Sequence, residues 1–292
     1  MYPELFKIGP FTVYSFGLML GIAFIVASYF LTKEIERKGM DPEIATQITL
    51  IAIVFGIVGS KLLDLIENWE RFLSDPIGMA FSPGGLTFYG GLILVIIVIW
   101  IYVRRKKIPF LVIADATAPS LALAYGIGRI GCHLAGDGDY GIPTTLPWGT
   151  NYANGTVPPS VAFSNPNLLK HFPWIAEKFP NGVPNNTPLQ PTPIYEFIMM
   201  LIIFLVLWKL RKKDWMDGKL FMLYLVLAGA ERFLIEFIRL NPRFLWGLSE
   251  AQLISVPMMV VGVLGFIYLT RNTELKKFVP PPLKPRLPVK KK

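Results

Sequence analysis

The sequence predicts an all-α fold of one kind, a polytopic helical bundle crossing a membrane about seven times. Three observations lead there. Apolar residues make up 53% of the 292, only 17% are charged, and the mean hydropathy is +0.48. A soluble domain of this length could not hide so much apolar surface. The apolar residues also come in continuous runs rather than in alternation with polar ones, which excludes a membrane β-barrel. Finally, the basic residues gather at the ends of alternate runs.

Seven runs reach or approach the roughly 20 residues a helix needs to cross the hydrocarbon. They are 11–32, 44–63, 86–103, 108–130, 193–208, 220–240 and 251–270. The first reads as a retained span, not a cleaved signal: no basic segment precedes it, and "TKEIERKG" follows where a small-residue cleavage site would stand. If it starts outside, then "TKEIERKG", "RRKK" (104–107), "KLRKK" (209–213) and the tail ending "PRLPVKKK" all fall on one side. The positive-inside rule makes that side the cytoplasm, with the N-terminus outside and the C-terminus inside. The net charge of +9 is therefore a topology signal and not the footprint of a nucleic acid.

The expected organisation is membrane helices one to four in 1–136, an extracytoplasmic cap in 137–190, helices five to seven in 191–271, and a basic cytoplasmic tail in 272–292. The cap segment is rich in Pro, Asn, Thr and Gly, and a connection of that length in a compact bundle is usually functional or disordered. Within it only "NLLKHFPWIAEKF" has the pattern of a short amphipathic helix. The single cysteine, Cys132, allows no intramolecular disulfide.

Charged residues inside such runs carry the functional signal, because Arg or Asp at the centre of a membrane helix costs about 2.5–3.5 kcal/mol. In "AGAERFLIEFIRLNPRF", Arg232, Glu236 and Arg239 fall at i, i+4 and i+7 and would line one helical face, with Glu231 turned about 100° away. That stripe suits either an anion site or a structural ion-pair ladder. Arg129, in "AYGIGRIGCHLAGDGDYG" (124–141), is placed by the topology at the same membrane boundary as Arg239. Converging guanidinium groups bind phosphate bidentately, and the abundant phosphate of a membrane is a phospholipid headgroup.

His133, one turn beyond Arg129, is either a structural hydrogen-bonder or a proton acceptor. Asp137 and Asp139 are either turn caps or functional carboxylates; a cation-binding loop would need more oxygen ligands than these two. Cys132 reads as a packing residue. Tyr89, between glycines in "SPGGLTFYGGL" (82–92), is either a belt residue or a site hydroxyl. Tyr195 and Glu196 open the fifth run after "PTPI", where a first-turn Glu also favours the helix dipole.

These motifs together resemble the prolipoprotein diacylglyceryl transferase family. The resemblance rests on "SFGLM" (15–19), "GGLTFYGGL" (84–92), "GRIG" (128–131), "PTPIYE" (191–196), "RFLIEFIR" (232–239) and "SEAQLIS" (249–255), in the family's order across all seven runs. The chain departs from the family pattern after Gly-Arg-x-Gly, where Cys132, His133, Ala135 and Asp137 replace Asn, Phe, Asn and Glu, and Gly141 comes one position late. Tyr89 stands at the family's histidine, Phe16 at a tyrosine and Gln190 at a frequent histidine.

The resemblance implies transfer of the diacylglyceryl group of phosphatidylglycerol to the lipobox cysteine of a prolipoprotein signal peptide. A thioether forms and glycerol phosphate leaves, in a bacterial inner membrane with the active site on the extracytoplasmic side and with no metal or cofactor. Carried over, Arg129 and Arg232 would hold the phosphate, Glu236 and Arg239 would position them, and Asp137 would stand for the family's glutamate. Tyr89, Tyr195, Glu196 and Gly141 fall on substrate-binding motifs. His133 and Asp137 are the candidates for the proton of the thiol. The competing expectations are a non-enzymatic lipid-binding or transport protein, and the same transfer to a different acceptor.

Overall fold

The computed structural model describes residues 1–9, 11–82, 87–272 and 277–281. Its elements are β1 (Glu4–Ile8), β2 (Phe11–Tyr14), α1 (Ser15–Arg37), α2 (Glu43–Glu67), α3 (Trp69–Ser74), α4 (Pro76–Phe81), α5 (Phe88–Arg105) and α6 (Phe110–Ala135). There follow α7 (Pro159–Ala162), α8 (Pro166–His171), α9 (Pro173–Lys178), α10 (Thr192–Leu210), α11 (Lys219–Ile235) and α12 (Glu250–Arg271). Among the described residues, one long helix falls on each of the seven apolar runs. Six of them, α1, α2, α5, α6, α10 and α12, are long and apolar enough to cross a membrane, and α11 has 17 residues. Large apolar side chains such as Ile25, Leu50, Ile57, Ile93, Ile202 and Leu264 stand exposed along them. Lipid, not water, is the solvent that suits such faces.

The chain divides into two compact units, Met1–Ala27 with Thr117–Lys276, and Ser28–Ala116 with Lys277–Lys292. In the first unit the N-terminus is not helical as far as Tyr14. The run expected to begin a helix at 11 instead gives β2, paired antiparallel with β1 from Glu4↔Tyr14 to Ile8↔Phe11. The β-branched and aromatic "FTVY" favours a strand, and Gly9 at φ +58° lets the chain turn back. Helix α6 runs five residues past the expected end, so Arg129, Cys132 and His133 are helical. Gly136 ends it in the left-handed region at φ +60°, its amide donating to the Cys132 carbonyl at 2.9 Å.

Helices α11 and α12 cross closely at Gly262, where a Cβ would lie 2.7 Å from the Met222 carbonyl oxygen. A capping box, Ser249 with Gln252, starts α12. Helix α11 stops at Ile235, sooner than the expected 240, and residues 236–238 form a turn. Past it, the Ile238 carbonyl accepts from the Ile142 amide at 3.0 Å, and Asn241 precedes a proline that disfavours helix. The expected single helix at 167–179 is two, α8 and α9. Pro173 has no amide hydrogen and pushes Phe172 out of helical geometry, to φ −125°, ψ 63°. Leu168 and Ile175 of these helices join Tyr140, Tyr152, Phe163, Val183 and Leu189 in a small core of the 137–190 segment.

In the second unit α2 and α5 cross with backbones nearly touching. A Cβ at Gly59 would strike the Gly90 carbonyl, and one at Gly90 the Gly59 carbonyl. A core of Leu31, Ile35, Ile44, Ile48, Val103 and Ile113 closes the unit's other end. The glycines at 84 and 85 and the tail from 282 onward lie outside the described residues.

Candidate active site

The first unit gathers three arginines and three carboxylates. Glu196, in the first turns of α10 and fully buried, lies at the centre. Its Oε1 accepts from Arg232 Nη1 and from the Tyr125 hydroxyl, both at 2.9 Å. Its Oε2 accepts from Arg239 Nη1 at 2.8 Å and pairs with Arg129 Nε at 3.4 Å. Asp139 pairs with both Arg129 Nη1 and Arg239 Nη2. Glu236 pairs with Arg232 Nη2 at 3.1 Å and faces Arg239 Nε at 3.7 Å, while Asn241 donates to its Oε1 at 2.6 Å. Arg129 also donates to the Tyr125 hydroxyl at 2.8 Å and lies over that ring, 4.7 Å from its centroid.

This arrangement answers the energetic problem of charge in a membrane. Each of these three cations faces at least two of the anions and each anion at least two of the cations, so none of the six charges is buried alone. Arg239 is sealed in, its side chain 4% exposed, whereas Arg129 and Arg232 keep an outer edge at 17% and 22%. A guanidinium carries five N–H donors. Arg129 and Arg232 spend only some of theirs on the cluster, and the rest remain for an anion.

The local chain explains how these groups meet. Gly141 forms a bridge with Arg239, its amide donating to the Gln190 carbonyl at 2.9 Å. A Cβ there would come within 2.5 Å of the Ile238 carbonyl oxygen and 2.8 Å of Thr192 Cγ2, so only glycine lets the three strands of chain pass. Thr192 donates to the Asp139 carbonyl and fixes the turn that carries the carboxylate.

Burial alone would raise the Asp139 carboxyl, but Arg239 and Arg129 outweigh it and hold it below the ordinary range. For Asp137 burial prevails, with the Asp139 charge beside it, and its carboxyl is pushed up. Asp137 accepts from the Asp139 amide at 3.3 Å and makes no ion pair with the arginines among the described contacts. Cys132, Asp137 and Asp139 hold their ligand atoms within 4.8 Å of one another. Two guanidinium groups on Asp139 make that spot unfavourable for a cation.

Of the sequence-derived site residues, Arg129, Arg232, Arg239, Glu196 and Glu236 thus come together directly. His133 faces the 137–190 segment, with Nδ1 2.9 Å from the Tyr152 hydroxyl. Tyr195 accepts from Trp148 Nε1 at 2.6 Å and donates to Gln190 Oε1 at 2.7 Å. Tyr89 falls in the second unit, near the start of α5, its ring edge-on to Phe88 at 5.6 Å. Of the expected i, i+4, i+7 stripe only Arg232 is within α11; Glu236 caps the helix end and Arg239 lies beyond it. Sequence reasoning passed over Tyr125, although it stands at i−4 from Arg129, and left Asp139 as either a turn cap or a functional carboxylate.

Comparison with known proteins fits this constellation. The family model described as prolipoprotein diacylglyceryl transferase matches residues 3–268. A phosphatidylglycerol–prolipoprotein diacylglyceryl transferase of Clostridium tetani is 31% identical over 91% of this chain and 97% of its own length. One of Dehalococcoides mccartyi is 34% identical over 92% and 94%, and one of Leptospira interrogans 27% over 87% of each. The chain belongs to the prolipoprotein diacylglyceryl transferase family.

Proposed function

We propose that this enzyme transfers the diacylglyceryl group of phosphatidylglycerol to the lipobox cysteine of prolipoproteins, the reaction named for its relatives. The observation that carries the reading is the meeting of Arg129 and Arg232, from α6 and α11, around one buried Glu196 with their outer edges free. The cysteine sulfur attacks the glyceryl carbon that bears the phosphate ester. A C–S bond forms, the C–O bond breaks, and glycerol phosphate leaves with the bonding pair. Charge grows on the departing phosphate, so guanidinium groups held in place stabilise the transition state more than the ground state.

The thiol, ordinarily near pKa 8.5, must lose its proton. Asp137 takes that role in this reading, because burial makes it a stronger base and it is not committed to an arginine. His133 orients the 137–190 segment through Tyr152. Arg239, Glu236 and Glu196 position the clamp, and Tyr195, Gly141 and Tyr89 belong to the substrate-binding motifs. In this reading the chain crosses a bacterial plasma membrane seven times with the N-terminus outside, the site is extracytoplasmic with 137–190 as its cap, and residues from 272 are cytoplasmic; the four basic clusters at alternate helix ends support it.

The test is transfer from phosphatidylglycerol to a lipobox peptide by the purified protein, followed by mass. Arg129→Ala and Arg232→Ala are expected to lose at least about a hundredfold in rate, the scale of a lost transition-state donor. Asp137→Asn should be slower than His133→Asn. Wild-type rates in both arginine variants, at equal folded protein, would end the clamp assignment.

A further inference from the structure

The ion cluster leaves one buried carboxyl out. Glu231 precedes Arg232 on α11, is 4% exposed, and neither of its carboxyl oxygens has a hydrogen-bond partner among the described residues. Asp139, Glu196 and Glu236 each face at least two guanidinium groups. Glu231 lies within the electrostatic reach of Glu196 and of Arg232, Arg129 and Arg239, yet is bonded to none of them. It shares the buried stripe of α11 with Leu220, Ala228 and Ile235. That stripe is not the one packed on α12, where a Cβ on Gly229 would lie 3.1 Å from the Ser255 carbonyl oxygen and Gln252 Nε2 donates to the Phe233 carbonyl at 3.2 Å.

A buried carboxyl with two empty acceptors is costly, and an apolar residue at this helix position would avoid the cost. Among the described residues no donor satisfies it, and a ligand could bring the donors. The phosphate at Arg129 and Arg232 belongs, on the reading above, to phosphatidylglycerol. That lipid differs from phospholipids with the same phosphodiester by the two vicinal hydroxyls of its head glycerol. Two adjacent O–H donors match the two oxygens of one carboxylate.

We propose that Glu231 accepts hydrogen bonds from the head-glycerol diol and makes the site selective for phosphatidylglycerol. The phosphate is held by the outer edges of the arginines, and the diol reaches the neighbouring residue of the same helix. This subsite rests on the phosphate clamp and adds to it a second point of recognition, for the part of the lipid that leaves.

The experiment compares phosphatidylglycerol with phosphatidylpropanol, which keeps the phosphate and the three-carbon head but lacks both hydroxyls. Each is supplied in mixed micelles to the full-length protein with a lipobox peptide. The wild type should favour phosphatidylglycerol by about 10-fold in kcat/KM, the scale of one or two net hydrogen bonds to a buried carboxyl group. Glu231→Leu should bring the ratio close to one, with Glu231→Gln between. The isosteric Gln removes no native partner, so that variant is expected to fold.

A wild-type ratio near one overturns the proposal without any variant. Equal losses on both lipids in Glu231→Gln overturn it too, because they mark a carboxyl with only a structural part. Failure of the clamp itself looks different: neither lipid is then a donor for the wild type, or Arg129→Ala and Arg232→Ala turn over both lipids at the wild-type rate.

Discussion

Glu196→Gln is the substitution that separates a bound cluster from a collection of surface charges. In the native protein Glu196 receives Tyr125 at 2.9 Å, Arg232 at 2.9 Å, Arg239 at 2.8 Å and Arg129 at 3.4 Å, with no exposure to solvent. Glutamine keeps the shape but removes the charge and turns one acceptor into an NH2 donor, which must then face a guanidinium. Taking one partner from a buried ion network costs about 3–5 kcal/mol, against a total stability of about 5–15 kcal/mol for a domain. The variant should therefore unfold well before the wild type in detergent. At a temperature where it is still folded, transfer should fall at least about a hundredfold, since two clamp residues lose their common anchor.

Glu196→Asp gives the complementary result. It keeps the charge but shortens the side chain by one methylene, so it cannot reach α6 and α11 together. It should recover part of the stability and little of the rate. The readouts are a thermal melt in micelles and single-substrate kinetics on the same samples. A Glu196→Gln protein within about 1 kcal/mol of the wild type, the range of an exposed ion pair, would refute the reasoning.

Further outcomes follow from the same geometry. Asp139 is held below the ordinary carboxylate range by Arg239 and Arg129, so its stabilising contribution is full above the unfolded value of about 3.9 and is lost as pH falls through the folded one. The melting difference between the wild type and Asp139→Asn should be constant above pH 5 and close below pH 4; a difference that instead grew on acidification would reverse the sign. Gly141→Ala drives a Cβ against the Ile238 carbonyl and should destabilise by about 1–3 kcal/mol while displacing Arg239, measurable as a joint loss of melting temperature and transfer.

Much of this was legible in the sequence, and the reasons for the remainder are physical. The seven helices show as apolar runs because lipid-facing and buried positions are apolar alike, which makes a membrane helix a stronger pattern than a soluble one. Arg129 and the Arg232–Glu236 pair show because charge in such a run is expensive. The exact partners do not show. In "GDGDYG" both aspartates follow a glycine and nothing local ranks them; the pairing of Gly141 with Arg239, about a hundred residues away in sequence, brings Asp139 to the arginines. Glu196 read equally well as a first-turn residue favouring the helix dipole until three arginines were seen to converge on it. The break at Phe172 was available beforehand, from Pro173; the early end of α11 depended on hydrogen bonds to Ile142 that no local pattern encodes.

The cluster's burial is asymmetric, and that asymmetry matters more than its charge balance. Glu196 and Glu236 have no exposure, Arg239 almost none, and Arg129 and Arg232 keep open edges. Two of the three anions, Glu196 and Glu236, thus lie on the inner side of the guanidinium groups they hold, while Asp139, 28% exposed, braces Arg129 and Arg239 from the rim. A guanidinium tethered in this way loses little freedom when an anion arrives, because its orientation is already fixed by folding. Free arginines on flexible loops would bind phosphate too, but they would have to be ordered for each lipid and would cling to any anion of the interface. Of the two open edges, Arg232 extends from the helix turn that also carries Glu231, so the phosphate and whatever lies beyond it are presented to neighbouring residues of one rigid element.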